Sequence, residues 1–141
     1  MRNKLDIKSK GGEVSMNTVK TADQVIDKLP ELFDRIASDY RNFVHNGLGL
    51  KRDDPKFNEK VSKFRNGLKF EQGKKYLKII RTDSNSPTVW GFINLWNTKF
   101  LFGDILFPAS WKTPALNQAR GNVFGVYVAP WTSAISLNSY R

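Results

Sequence analysis

The chain has no cysteine and one histidine, His45, among its 141 residues. The first absence excludes disulfides, thiolate metal centres and a cysteine nucleophile. The second excludes metal sites built on paired histidines. Carboxylates thin out toward the C-terminus, where only Asp83 and Asp104 follow Glu71. A two-metal nuclease or polymerase centre would therefore have to import its acids from the N-terminal half. Neither the glycine-rich nucleoside-triphosphate loop nor the dinucleotide fingerprint occurs. Residues 1–20 lack the apolar stretch of a secretory signal, and no run approaches the roughly 18 apolar residues of a membrane span. These absences lead to the expectation of a cytoplasmic protein with no cofactor, no metal and no membrane partner, and they weigh against an enzyme. A metal-independent ribonuclease working through Lys, Arg and Tyr stays open, because such a site leaves no spacing signature.

What the chain has in excess is positive charge: 23 Lys and Arg face 13 Asp and Glu, a formal net charge of +10. The excess is concentrated. Residues 47–81 hold eleven basic and four acidic side chains, whereas residues 21–46 are net negative. Dense Lys and Arg in one segment is the electrostatic footprint that binding to phosphates requires; the alternative is a solvated, solubilising helix face.

At roughly 100–200 residues per domain the length holds one core. Residues 1–20 read as a basic flexible arm. Residues 21–128 read as a single α+β domain, with helices over 21–68 and a β module over 70–128, and residues 129–141 read as a tail. Val25, Ile26, Leu29, Leu32, Phe33, Ile36, Tyr40, Phe43 and Val44 recur at helical spacing behind Thr21 as N-cap. Pro30 is expected to kink or restart that helix, and Gly47 to end it in a left-handed conformation. Asp54-Pro55 starts a second helix, in which Phe57, Val61, Phe64 and Leu68 form the core stripe, with Lys56, Lys60, Lys63 and Arg65 between them. The period then falls to two. Strands are expected over residues 76–81, 88–96 and 99–107, the last bent at Gly103, with a final strand over 126–128 and a short helix over 113–121. The whole predicts N-terminal helices on a small curved antiparallel meander that approaches a barrel.

The strand over residues 88–96 is the most informative. Strict alternation puts Trp90, Phe92, Asn94 and Trp96 on one face and Val89, Gly91, Ile93 and Leu95 on the other. Aromatic side chains flanked by cations are the stacking platform of single-strand binders; the competing reading buries them under the helices. Ser110, Trp111 and Lys112, ahead of the expected helix at Thr113-Pro114, would offer an anion site at a helix N-terminus, with Arg120 extending it; the competing reading is ordinary capping with Trp111 as a core anchor. His45 reads as a capping or solvated residue.

Five stretches in this order, FEQGKKYLKII (residues 70–80), VWGFI (89–93), GDIL (103–106), ASWKTPA (109–115) and ARGNVF (119–124), resemble a group of small, functionally uncharacterised proteins common in tailed bacteriophages. The likeness covers residues 70–124 and implies a compact β module and a phage origin; it brings no catalytic residues. The helical N-terminal half and the segment after Phe124 depart from it.

The leading expectation is a non-catalytic, sequence-tolerant binder of single-stranded DNA or RNA. In it Lys51, Arg52, Lys56, Lys60, Lys63, Arg65, Lys74, Lys75, Lys78 and Arg81 hold phosphates. Trp90, Phe92 or Trp96 stacks bases, and Ser110, Trp111, Lys112 and Arg120 prolong the track. The alternative is a phage structural or host-interaction protein that docks an acidic protein partner on the same charge.

Overall fold

The computed structural model describes residues 21–135; the basic arm expected over residues 1–20 and the last six residues of the expected tail lie outside them. Helix α1 (Ala22–Asn42) begins behind Thr21, whose backbone N–H donates to the Gln24 side chain at 2.8 Å. The helix runs through Pro30 without restarting. Pro30 is exposed, so water can reach the carbonyl that its missing N–H would have bonded, while buried residues on both sides, Val25 and Leu29 before it and Leu32 through Tyr40 after it, anchor the helix. Its last turn widens into a π-helical turn (Phe43–Gly47). The left-handed residue beyond the helix is Gly49, at φ +72°, rather than Gly47.

Helix α2 (Pro55–Asn66) follows its expected signal: the Asp54 carboxylate accepts from the Lys56 N–H at 2.8 Å, and Pro55 occupies the first helical position. Strands β1 (Lys69–Gln72), β2 (Tyr76–Asp83), β3 (Ser86–Asn94) and β4 (Ile105–Leu106) form an open antiparallel sheet in the order β1-β2-β3-β4. The architecture is therefore α+β, with the sheet unclosed. The β2–β3 turn carries Ser84 and Asn85 at φ 54° and 66°, the doubly left-handed geometry of a tight two-residue hairpin.

A bulge decides which face each aromatic residue occupies. Ile79 pairs with Gly91 but Ile80 pairs with Val89, leaving Trp90 opposite nothing. Trp90 thereby joins Leu77, Ile79 and Ile93 on the helix side, in one cluster with Leu32, Ile36, Phe57 and Phe64. Phe92 stays on the other face and packs with Phe100, Leu106 and Ala119. Strict alternation would have kept Trp90 and Phe92 together.

Past β4 the backbone bonds replace the expected regular elements. The N–H of Ala115 donates to the Phe107 carbonyl at 2.7 Å and that of Arg120 to the Ile105 carbonyl at 2.7 Å. The Arg120 donor is thereby lost to the i→i−4 bond it would make in a helix, and residues 113–121 are not a helix despite their capping signals. Residues 99–104 and 126–128 are likewise not strands. Part of the expected tail is built into the core: the Trp90 indole N–H donates to the Pro130 carbonyl at 2.6 Å and the Ala134 N–H to the Trp90 carbonyl at 2.8 Å. Trp131 meets the edge of Tyr40 at 5.1 Å between ring centroids, and Ala134 is buried.

A buried polar hub fixes the crossing of the loops. Asn94 donates to the carbonyls of Trp96, Phe100 and Leu101, and Asp104 accepts from the Leu101 N–H and the Asn122 amide at 2.9 and 3.0 Å. Gly103, at φ +89°, sits at its centre, where a Cβ would lie 2.6 Å from the Phe124 ring. Gly103→Ala is expected to lower stability by about 1–3 kcal/mol through backbone strain and crowding. Thermal unfolding followed by circular dichroism checks this; an unchanged Tm would refute the account of the hub.

Candidate nucleic-acid interface

The structure separates the cations that the sequence placed in one segment. Lys51, Arg52 and Lys56 lie exposed around the start of α2, and Lys60 and Lys63 toward its end. Lys56 and Lys60 are one helical turn apart, about 6 Å, so the helix carries its lysines as a row along α2. Arg65 is engaged with Asp34, its Nε 2.9 Å from the carboxylate, and lies over the Phe33 ring at 5.4 Å. The pair is largely solvated and worth little energetically, yet it occupies the guanidinium. Arg81 donates to the Thr132 carbonyl at 2.8 Å and covers the Trp131 ring at 5.1 Å. Burial lowers its pKa, with Asp83 partly offsetting the shift. Arg81 therefore ties the C-terminal segment to β2.

Trp90 is fully buried and Phe92 is 2% exposed, so neither offers a face to a base. The anion site expected at a helix N-terminus before Pro114 is also absent, because there is no helix there. Instead the Ser110 hydroxyl accepts from the N–H groups of Lys112 and Thr113 at 3.2 and 3.1 Å and sits 2.9 Å from the Thr113 hydroxyl. Arg120 donates to the Gln118 carbonyl and the Asn117 side chain and covers the Phe107 ring at 5.2 Å. His45 meets the Leu50 carbonyl through Nδ1 at 3.0 Å, a closing contact for the π-helical turn.

The remaining predicted residues converge. At the β1–β2 turn a cleft of about 270 Å³ is lined by Lys74, Lys75, Lys78 and Lys112, with Phe92 and Tyr76 contributing apolar wall. Two half-exposed indoles, neither of them in the cleft wall, each hold one of its lysines. Lys75 Nζ stands 4.7 Å from the Trp96 ring centroid, and Lys78 Nζ stands 4.6 Å from that of Trp111. Trp96 is 38% and Trp111 46% exposed. Glu71 lies 3.7 Å from Lys78, which leaves Lys74, Lys75 and Lys112 as the cations with most freedom. Lys78 and Phe92 are register partners across β2 and β3, so the residues after the bulge set the side of the sheet on which this cleft opens.

A second cleft, of about 470 Å³, lies where the end of α2 meets the β2–β3 turn; Lys60, Lys63 and Lys69 line it together with Tyr40 and Asp83. Burial, reinforced by Asp83, raises the Tyr40 pKa; burial likewise raises that of Tyr127, where Arg35 opposes the shift. Sequence reading missed Lys69, which stands outside the helical pattern, and placed Tyr40 in the core stripe alone.

These features define a small α+β domain with an open four-stranded sheet and lysine-rich clefts at the two ends of its β1–β2 edge. The chain belongs to a family of unknown function, DUF7717, whose pattern matches residues 7–128. No curated protein and no solved structure matches it. Among the described residues no helix is long and apolar enough to cross a membrane.

Proposed function

We propose that the chain is a non-catalytic, sequence-tolerant binder of single-stranded nucleic acid, encoded by a phage and acting in the host cytoplasm. The observation that carries this reading is the pair of Lys–Trp contacts, Lys75 with Trp96 and Lys78 with Trp111, beside one basic cleft. A base can stack on an indole only if the ammonium gives up that face. An exposed cation–π contact is worth about 0.5–1 kcal/mol, whereas base–aromatic stacking is worth about 1–3 kcal/mol. Exchange therefore favours the base, and the displaced ammonium remains close enough to meet the phosphate of the same nucleotide. Lys74 and Lys112 supply further countercharge.

Tryptophan fluorescence tests it. Titration with an unstructured oligothymidylate at low salt is expected to quench Trp96 and Trp111, with log K falling by about 0.7 per neutralised phosphate as log salt rises. Weak binding that ignores salt would overturn the proposal and turn attention to an acidic protein partner.

A further inference from the structure

The cleft at the end of α2 holds a combination that the single-strand surface does not use. Tyr40 is 2% exposed, its ring stacked on Phe64 at 4.0 Å with an interplanar angle of 11°. Its hydroxyl makes no hydrogen bond among the described residues, although the residue lines the cleft. The hydroxyl is not a buried unsatisfied atom; it opens on the cleft, where a buried ring holds it rigidly as a donor that a ligand can take over from water. Three ammonium groups, Lys60, Lys63 and Lys69, line the same space with one carboxylate, Asp83. The local balance of three cations against one anion leaves +2, which matches a phosphomonoester dianion. The carboxylate and the amides of Asn66 and Asn85 are suited to hydroxyl or base-edge groups on whatever the phosphate carries. The volume, about 470 Å³, falls in the range of small-ligand pockets.

We propose that this cleft is a phosphate site separate from the Trp96–Trp111 surface, taking a phosphomonoester that bears polar groups, either a free nucleoside monophosphate or the phosphorylated end of a strand. Tyr40 donates to the phosphate, Lys63 and Lys69 neutralise it, and Asp83 accepts from the attached sugar or base. Lys60 and Lys63 also suit the carboxyl end of α2 on electrostatic grounds, so the test must separate ligand binding from helix stabilisation.

Amide and side-chain NMR spectra of the full chain, titrated with adenosine 5′-monophosphate, inorganic phosphate and adenosine, make that separation. The monophosphate is expected to shift the Asn66 and Asn85 side-chain signals saturably and adenosine to leave them in place, with inorganic phosphate binding more weakly at the same signals. Lys63→Gln with Lys69→Gln should weaken the monophosphate by about tenfold or more, as loss of charge-assisted hydrogen bonds requires. Tyr40→Phe should weaken it about threefold or more with Tm unchanged, because the hydroxyl supports no contact in the free protein. The Trp96→Ala, Trp111→Ala double variant should bind the monophosphate like the parent even if oligonucleotide binding fails, so this site and the stacking surface stand or fall separately. Tighter binding of a 5′-phosphorylated dinucleotide than of the mononucleotide identifies a strand end as the source; equal or weaker binding identifies the free nucleotide. The proposal is overturned if millimolar monophosphate at low salt moves no signal in the cleft, or if the lysine substitutions leave its affinity unchanged.

Discussion

Replacing Trp96 and Trp111 together by alanine is expected to weaken binding to a single-stranded oligonucleotide by about 30-fold or more while leaving the fold intact. The magnitude follows from stacking: about 1–3 kcal/mol for each base–aromatic contact, or about 5- to 150-fold per residue. The fold survives because both indoles are substantially exposed and neither belongs to a core cluster. The same variant should keep the salt dependence of the parent, since Lys74, Lys75, Lys78 and Lys112 are all retained. Lys75→Gln with Lys112→Gln is expected to do the reverse, lowering the slope of log K against log salt by about 1.4 if each lysine meets one phosphate. Fluorescence anisotropy of a labelled oligothymidylate across a salt series measures both effects, with circular dichroism as the control on folding. An unchanged affinity in the tryptophan double variant would remove the stacking platform and leave only diffuse charge.

How far the sequence led depends on whether a signal is local. Helix α2 was legible because Asp54-Pro55 and the spacing of Phe57, Val61 and Phe64 act within a few residues. The β2–β3 hairpin was legible for the same reason, in the turn cluster between its strands. The helix expected over residues 113–121 carried equally good local signals and does not form: the Arg120 N–H, which would bond the Leu116 carbonyl in a helix, goes to the Ile105 carbonyl instead. The C-terminal segment reads as polar and irregular, yet Trp131 and Ala134 pack into places made by α1, α2 and β3, and no local pattern announces such docking. For the site, the count of lysines was legible and their division between two clefts was not. Lys60 and Lys75 are only fifteen positions apart, but the path from α2 through the β1–β2 hairpin carries them to different ends of the sheet edge.

The bulge opposite Ile79 and Ile80 is the feature that most changes the functional reading, and Trp90 tests it. Trp90→Ala is expected to cost about 3–5 kcal/mol for the large-to-small change in a closed core. Exposure of the Pro130 carbonyl's lost partner adds to this only if that carbonyl stays dry, at about 1–3 kcal/mol. Against a typical total of about 5–15 kcal/mol, the variant should be severely destabilised or unfolded in a denaturant titration. Trp90→Phe keeps most of the volume but loses the indole hydrogen bond to Pro130. It should fold with a smaller loss of about 1–3 kcal/mol, mainly the unsatisfied carbonyl and the space left by the smaller ring. Its affinity for single strands should equal that of the parent, because Trp90 sits on the helix side of the sheet with Ile93. Had the alternation of residues 88–96 held without a bulge, Trp90 would share the outer face with the lysine cleft. Trp90→Phe would then retain a stacking ring on that surface, and Trp90→Ala would lose binding with little loss of stability. A folded, stable Trp90→Ala protein with impaired oligonucleotide binding would therefore move the interface back to the strand and overturn the assignment to Trp96 and Trp111.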